Sequence, residues 1–179
     1  MPQYAAFLRG ITPSNPQMTG AKLRGVFESL GFSEVSSVLA SGNLVFASPD
    51  TDAAALEQRI QRALTSDLGI PGQTILRTRE QLQRLRDSDP FPGLTHQRGT
   101  YLTATFLKVG DPPLPLPGST SDLFRVAGYD RDARAVLAVT DNSEPGATPD
   151  VMVWLEKVCG KDITTRTWLT VQRVLNKFP

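Results

Sequence analysis

The chain has 179 residues, of which 40% are hydrophobic and 21% are charged, and its formal net charge is +1. This composition is typical of a folded globular protein and excludes a disordered chain. Because the net charge is close to zero, the chain as a whole attracts neither nucleic acid nor acidic partners strongly, and an anion site would have to be local.

Cysteine content and hydropathy indicate the compartment. Cys159 is the only cysteine, so no internal disulfide can form, and we expect a reducing, cytoplasmic environment. The first residues lack the basic and apolar segments of a secretory signal, and no apolar run reaches the length of a membrane helix. We therefore expect a soluble protein without membrane association.

Hydrophobic periodicity in the first part of the chain predicts four strands and two helices in the order βαββαβ. The predicted strands are 4–8, 34–39, 44–48 and 73–78, with a tight hairpin turn at 40–43. The first helix begins after an N-cap at Thr19, and the second begins after one of the polar residues at 50–52. This is the ferredoxin-like plan, for which we expect an antiparallel sheet with strand order 4-1-3-2 and both helices on one face.

A third helix is predicted to follow this unit. Thr78 and Gln81 have the spacing of a capping box, in which each side chain bonds the backbone N–H of the other residue. The sequence DPFPG at 89–93 ends the helix. We therefore place the βαββαβ lobe with its connecting helix at 1–93 and a second α+β lobe at 94–179.

The remainder of the chain predicts a degraded copy of the same plan. Its predicted strands are 101–109, 123–129, 133–139 and 162–166. The segment 110–118 stands where the first lobe has its first helix, and its four prolines exclude a regular helix interior. A helix that opens at Thr148-Pro149 and a final helix complete the lobe. The predicted fold class is α+β, with a ferredoxin-like lobe followed by a second, degenerate α/β lobe of similar plan.

One end of the first predicted sheet gathers polar and cationic residues. In a 4-1-3-2 sheet, the exit of the first strand lies beside the hairpin that joins the second and third strands. Arg9 and Gly10 should therefore lie close to Ser41, Gly42 and Asn43, near the N-terminus of the first helix. An arginine and the N–H groups of a helix N-terminus suit a phosphate or a carboxylate. The alternative is structural, with the arginine paired to a surface carboxylate and the three hairpin residues forming a good turn.

The segment TTRTW at 164–168 brings an arginine and a tryptophan next to the start of the last helix. Thr165 or Thr167 can cap that helix. For Arg166, a binding role and a structural role are both open. Trp168 could stack on a base or a sugar, but a tryptophan in the first turn of a helix is more often a core anchor, which we favour.

Short motifs spread along the chain resemble one known family. They are LRGI near the N-terminus, GF and then SGNLVF in the hairpin, DPF at 89–91 and TTRTW near the C-terminus. In this order they resemble the family catalogued as domain of unknown function 1697. The resemblance implies two α/β lobes, and it implies no activity because none is established for that family. The motif positions retained here are Arg9, Gly10, Ser41, Gly42, Asn43, Pro90, Phe91, Thr165, Arg166 and Trp168.

The chain also departs from the family pattern. Members typically continue after LRGI with a glycine-rich, often lysine-containing loop, whereas residues 12–17 read TPSNPQ, which is stiffer and uncharged. This difference weakens a phosphate cradle at the loop. Asp89 and Thr167 stand where members usually have asparagine.

No standard catalytic or cofactor motif is present. The sequence contains neither of the glycine-rich nucleotide loops, G-x-x-x-x-G-K-[ST] and G-x-G-x-x-G, nor the G-x-S-x-G nucleophile elbow. His96 is the one histidine, so a multi-histidine metal site is excluded, and we expect neither a metal nor a cofactor. Cys159 ends an apolar helix, which favours a buried structural thiol. An RNA-recognition module is disfavoured because SGNLVFAS lacks the basic residue and the paired aromatics of its signature.

These patterns predict a cytoplasmic binding protein. Its ligand would be a small anion or a nucleic-acid end, although the net charge does not favour nucleic acid. Arg9, Ser41 and Asn43 would hold it, with Arg166 as a further candidate. Two alternatives stay open. One is a metal-independent enzyme with an arginine-lined site, for which no general base stands out, and the other is an interaction scaffold that uses 110–118.

Overall fold

Two four-stranded antiparallel sheets organise the chain in a computed structural model that describes residues 1–118, 121–144 and 147–179. The elements are β1 (Gln3–Leu8), α1 (Gly20–Ser29), β2 (Ser33–Val38), β3 (Asn43–Ala47), α2 (Ala53–Leu68), β4 (Thr74–Thr78), α3 (Arg79–Asp87), β5 (Thr100–Leu107), β6 (Phe124–Asp130), β7 (Ala135–Asp141), α4 (Ala147–Cys159), β8 (Ile163–Thr167) and α5 (Trp168–Lys177). The predicted α+β class is therefore confirmed.

The strand order is the same in both sheets. The first sheet has the order β2-β3-β1-β4 and the second has β6-β7-β5-β8. In each sheet the first strand in sequence pairs antiparallel with the third and the fourth strands of that sheet. The predicted 4-1-3-2 order is confirmed for the first lobe. The second lobe repeats it with the proline-rich segment in the place of the first helix.

Polar side chains begin the helices as the sequence predicted. The Thr19 side chain accepts a hydrogen bond from the Lys22 N–H, and the Asp52 side chain accepts one from the Ala55 N–H. Before α3, the Thr78 N–H donates to Gln81 Oε1 at 2.9 Å while the Gln81 N–H donates to Thr78 Oγ1 at 3.1 Å. This reciprocal pair is the predicted capping box, and it satisfies two backbone donors at the point where the strand becomes a helix.

The core of the first lobe lies between one face of its sheet and two helices. Tyr4, Leu44 and Phe46 from the strands pack in one cluster with Phe27 of α1 and Ile60 of α2. All five side chains are at most 2% exposed. Burial of one such side chain contributes about 1.5–3 kcal/mol. Apolar residues at helical spacing on α1 and α2 thus fix both helices on the same face of the sheet.

The second lobe has a smaller cluster under a single helix. Trp154 and Leu155 of α4 pack over Leu107 and Val136 of the sheet. Leu116, from the proline-rich segment, packs against this cluster where the first lobe has a whole helix. The proline-rich segment therefore supplies only part of the apolar surface that α1 supplies in the first lobe.

Two compact units divide the chain. One unit is Met1–Leu82 with Arg173–Pro179, and the other is Gln83–Gln172. This division falls inside α3, before residue 93, and it assigns the end of α5 to the first unit. The predicted domain boundary between 93 and 94 stays a prediction.

We expect Thr78→Ala to lower the free energy of unfolding by about 1 kcal/mol, because it removes the hydroxyl that accepts from the Gln81 N–H. Thr78→Ser keeps the hydroxyl and should lose much less. Urea denaturation of both variants measures the difference. Equal losses in the two variants would show that the methyl group, rather than the cap, carries the effect.

Candidate functional site

The exit of β1 lies between two connections of the first lobe. The Leu8 N–H donates to the Gly42 carbonyl at 2.8 Å, which ties the strand to the β2–β3 hairpin. The Arg9 N–H donates to the Gln73 carbonyl at 2.8 Å, which ties the next residue to the α2–β4 connection. We call this region the loop end, made of residues 9–24, 37–43 and 69–74. The structure thus brings Arg9 and Gly10 to the same end of the sheet as the hairpin, as predicted.

Two glycines leave room for neighbouring segments at the loop end, Gly42 for side chains and Gly72 for a backbone. Gly42 has φ +79°, and a Cβ at this position would lie 2.5 Å from Ile11 Cγ1 and 3.1 Å from Leu8 Cβ. A Cβ on Gly72 would overlap the Arg9 carbonyl oxygen. Side chains cannot be added at either glycine without moving the segment after β1. Sequence reasoning singled out Gly42 but missed Gly72, because the approach joins segments far apart in the chain.

The predicted polar residues of the hairpin bond to the turn itself. Asn43 is 1% exposed, and its Nδ2 donates to the Val38 carbonyl at 3.0 Å and to Ser41 Oγ at 2.9 Å. These bonds close the hairpin across its own turn. They favour the structural interpretation of Asn43, with exposed Ser41 at the apex beside it.

The start of α1 contributes two further cations. Lys22 Nζ donates to Gln17 Oε1 at 2.9 Å, and Arg24 Nη1 donates to Ser37 Oγ of β2 at 2.6 Å. A Cβ on Gly20 would lie 2.9 Å from the same Ser37 oxygen, so α1 begins directly against β2. Sequence reasoning missed Arg24. Its position four residues after Gly20 was a usable signal, since residues at this spacing share one face of a helix.

The segments that meet at the loop end carry positive charge only. Residues 9–27, 35–46 and 69–76 contain Arg9, Lys22 and Arg24, and they contain no aspartate or glutamate. The first turn of α1 also lacks acidic residues, so no side chain there offsets the partial positive charge of the helix N-terminus. The nearest carboxylates along the chain are those of Glu28, Glu34 and Asp67, which lie just outside these segments. The buried Glu57 of α2 reaches the middle of β4, where its Oε1 accepts from the Leu76 N–H at 2.9 Å. The segments of the loop end thus carry three cationic side chains and no acidic one.

Arg166 lies on β8 in the second unit. Its Nη1 donates to Thr164 Oγ1 at 2.7 Å and to the Thr165 carbonyl at 3.0 Å. The residue is partly exposed, but its guanidinium is densely surrounded, and this burial lowers the pKa of Arg166 to about 10. The group thus stays charged at neutral pH.

A second buried arginine occupies the equivalent position of the first lobe. Arg77 pairs with Ala5 of β1 as Arg166 pairs with Ala104 of β5, and in both lobes a threonine follows and the next helix begins. Arg77 is 1% exposed and donates to the Leu76 carbonyl at 2.6 Å. The recurrence favours a structural role for this arginine position in both lobes.

Trp168 begins α5 in the second unit and is 7% exposed. Its ring lies edge-on to Phe91, with 5.5 Å between the ring centroids. The preceding Thr167 caps the helix, since its Oγ1 accepts from the Thr170 N–H at 3.2 Å. These contacts favour the core-anchor interpretation of Trp168 over a stacking platform.

The remaining candidate groups are distributed without a catalytic arrangement. His96 Nδ1 accepts from the Leu102 N–H at 3.1 Å, and its ring packs on Tyr101. Cys159 is half-buried, and this burial raises the pKa of its thiol. Among the described residues, no three His, Cys, Asp or Glu side chains cluster so as to hold a metal ion. None of the helices in that part of the chain has the length and apolar character needed to cross a membrane.

Comparisons with known proteins identify a family and a shared fold. The model of the family DUF1697, described as a protein of unknown function, matches residues 1–117. A solved structure of a conserved bacterial protein from Streptococcus pneumoniae superposes with a TM-score of 0.72 at 17% identity, and the match covers 98% of each chain. At this identity the likeness concerns the fold alone. No curated protein matches the chain.

We expect Gly72→Ala to destabilise the protein by several times the usual effect of a surface substitution, about 2 kcal/mol or more, because the new methyl group would overlap the Arg9 carbonyl. Gly25→Ala is the matched control. Gly25 lies inside α1 with open space around it, so alanine there should stabilise by about 0.5–1 kcal/mol. Thermal unfolding of both variants measures whether stability falls in Gly72→Ala and rises in Gly25→Ala. A neutral Gly72→Ala would contradict the close approach.

We expect Cys159 to react slowly in the folded protein, because burial raises the pKa of its thiol and limits access. At about pH 8, its rate with a disulfide reagent should be about tenfold lower than in the denatured chain. Because the pKa is raised, the native rate should keep rising above that pH. A plateau near neutral pH would contradict this expectation.

Proposed function

We propose that this protein, which belongs to the DUF1697 family of proteins of unknown function, binds a small anionic ligand at the loop end of its first lobe. One observation carries the proposal. Three cations and a helix N-terminus lie in segments at one end of the sheet, and these segments contain no aspartate or glutamate. A local concentration of positive charge attracts an anion, even in a chain whose net charge is close to zero.

Each part of the loop end has a defined role in this proposal. Arg9 offers a planar guanidinium at the exit of β1, where the backbone is held by the bonds to Gly42 and Gln73. Arg24 is oriented by its bond to Ser37, on the side of the sheet where α1 begins. Thr19 caps the Lys22 N–H, so the N–H groups at the start of α1 that could donate to an anion are those of Gly20 and Ala21. Ser41 and Asn43 hold the hairpin that supports Arg9, and contact of either with the ligand remains a proposal.

Binding is favoured over catalysis by the same absence of carboxylates. General base catalysis needs a proton acceptor near the reacting group. The segments of the loop end contain no aspartate, glutamate, histidine or cysteine that could serve. An arginine-lined enzyme site is therefore the weaker candidate. We also propose that this lobe is ferredoxin-like, because its strand order is the one expected for that fold. We propose a cytoplasmic location because the chain has a single cysteine.

Phosphate is the chemistry shared by two sources of the ligand, a free small molecule and the end of a nucleic acid. A terminal phosphate of an oligonucleotide would use the same guanidinium groups as a free phosphate. The net charge of +1 offers no extended attraction along a nucleic-acid backbone. We therefore favour the free small anion.

The test is a calorimetric titration of the full chain with inorganic phosphate, citrate and a mononucleotide, followed by a short oligonucleotide with and without a 5′-phosphate. We expect Arg9→Gln and Arg24→Gln to weaken binding of the best anion about tenfold or more, because each variant loses a charge-assisted hydrogen bond. Affinity should also fall as salt is added.

Arg98→Gln is the matched control, because Arg98 is an exposed arginine outside the loop end. It should leave the affinity unchanged, and thermal unfolding should show that all three variants are folded. If no anion binds, or if the three variants bind equally well, the proposal is wrong. Binding of the phosphorylated oligonucleotide alone would replace the small anion by a nucleic-acid end.

A further inference from the structure

The second lobe lacks one of the two helices that cover the sheet of the first lobe. In the first lobe, α1 joins β1 to β2 and α2 joins β3 to β4, and these strand directions make the two helices antiparallel. In the second lobe, α4 joins β7 to β8 and corresponds to α2. The place that corresponds to α1 is left to the proline-rich segment 110–118.

A groove lies between this segment and α4. Its volume is about 790 Å³, and Pro113 and Pro117 line one side while Val153 and Trp154 of α4 line the other, with Phe124 of β6 between them. We call it the α4 groove. The two aromatic rings of its lining are packed edge-on at 5.5 Å. The lining is thus largely apolar and is built from three separate segments of the same lobe.

Val153 is the unusual residue of this groove. It is 67% exposed, although α4 carries its other large apolar side chains toward the sheet. An exposed valine beside a tryptophan and two prolines extends the apolar surface from the core onto the outer side of the helix. The groove thus joins an exposed valine to rings of the core, which gives a concave apolar lining for a ligand side chain.

Charged residues at the two ends of α4 would orient a helix bound in the groove. Asp150 lies in the first turn of α4 and Lys157 in the last, and both line the groove. They are seven residues apart, so they lie on one face, about 10 Å from each other along the axis. A helix bound in the groove with the same direction as α1 would run antiparallel to α4. It would therefore meet Lys157 near its own N-terminus and Asp150 near its own C-terminus.

We propose that the α4 groove binds an amphipathic helix of a partner protein, antiparallel to α4, beside the segment 110–118 and on the side of α4 that corresponds to the α1 side of α2. The charge complement of the groove is a helix with an acidic residue in its first turn, an apolar face in its middle and a basic residue in its last turn. This charge order also agrees with the helix macrodipole. An apolar helix face that fills a groove is an established mode of recognition. The inference is independent of the anion site.

The experiment uses two stapled helical peptides with the same composition and the same leucine face. The first peptide has glutamate in its first turn and lysine in its last, and the second has these charges exchanged. Fluorescence anisotropy measures the affinity of each peptide for the full chain. We expect the first peptide to bind about tenfold more tightly than the second.

Three variants test the geometry. Val153→Asp should weaken binding of the first peptide about tenfold or more, because it places a carboxylate against the apolar face of the ligand. Val109→Asp is the matched control, since Val109 is 68% exposed and does not line the groove. The double variant Asp150→Lys/Lys157→Asp should reverse the preference between the two peptides. Circular dichroism melts check that each variant is folded.

The following outcomes would overturn the proposal. Absence of saturable binding, equal effects of the two valine variants, or a preference that the charge exchange does not reverse would each exclude an oriented helix in the groove. Binding of small apolar dyes without peptide binding would make the groove a small-molecule site. Self-association that Val153→Asp abolishes, without peptide binding, would make the occupant a second copy of this chain.

Discussion

The central position of β1 is the constraint on which the first lobe depends. This strand pairs with β3 on one side and β4 on the other, and its residues from Tyr4 to Leu8 are at most 2% exposed. At its exit both neighbouring connections must approach the same two residues, and glycines at 42 and 72 make that approach sterically feasible. Arg9 therefore leaves the sheet at a point that the strand pairing has already fixed. The position of the loop end is a consequence of strand order rather than of one local motif.

The two lobes share a strand order but present different surfaces. In the first lobe, α1 completes the layer over the sheet, and its polar start joins the loop end. In the second lobe, prolines prevent a helix at the same place, so the apolar side of α4 keeps an open groove beside it. One replaced helix thus accounts for both proposed sites, a cationic edge where the helix is present and an apolar groove where it is missing.

Residues that stand out in a sequence are not always those that build a site. Asn43 and Trp168 are conspicuous because their types often bind ligands, yet Asn43 bonds its own hairpin and Trp168 packs on Phe91. Arg24 and Gly72 carry no motif, yet the first adds a cation beside Ser37 and the second lets the chain pass Arg9. The difference arises because a site is assembled by segments that are distant in sequence. Local patterns report which turn or helix a residue belongs to, but not what lies opposite.

Local chemistry was sufficient to determine the secondary elements, the helix caps and the strand order of the first lobe. Hydrophobic spacing distinguishes helix from strand, and threonine and aspartate side chains cap the helices. The right-handedness of crossover connections then allows few arrangements of four strands. From these rules it followed that Arg9 and the hairpin share one end of the sheet. The tertiary structure alone decided that Gly72 lies against the Arg9 backbone, that Arg24 reaches Ser37, and that α4 has a groove beside it. Those features depend on distances of a few ångströms between segments far apart in the chain, and no local propensity carries that information.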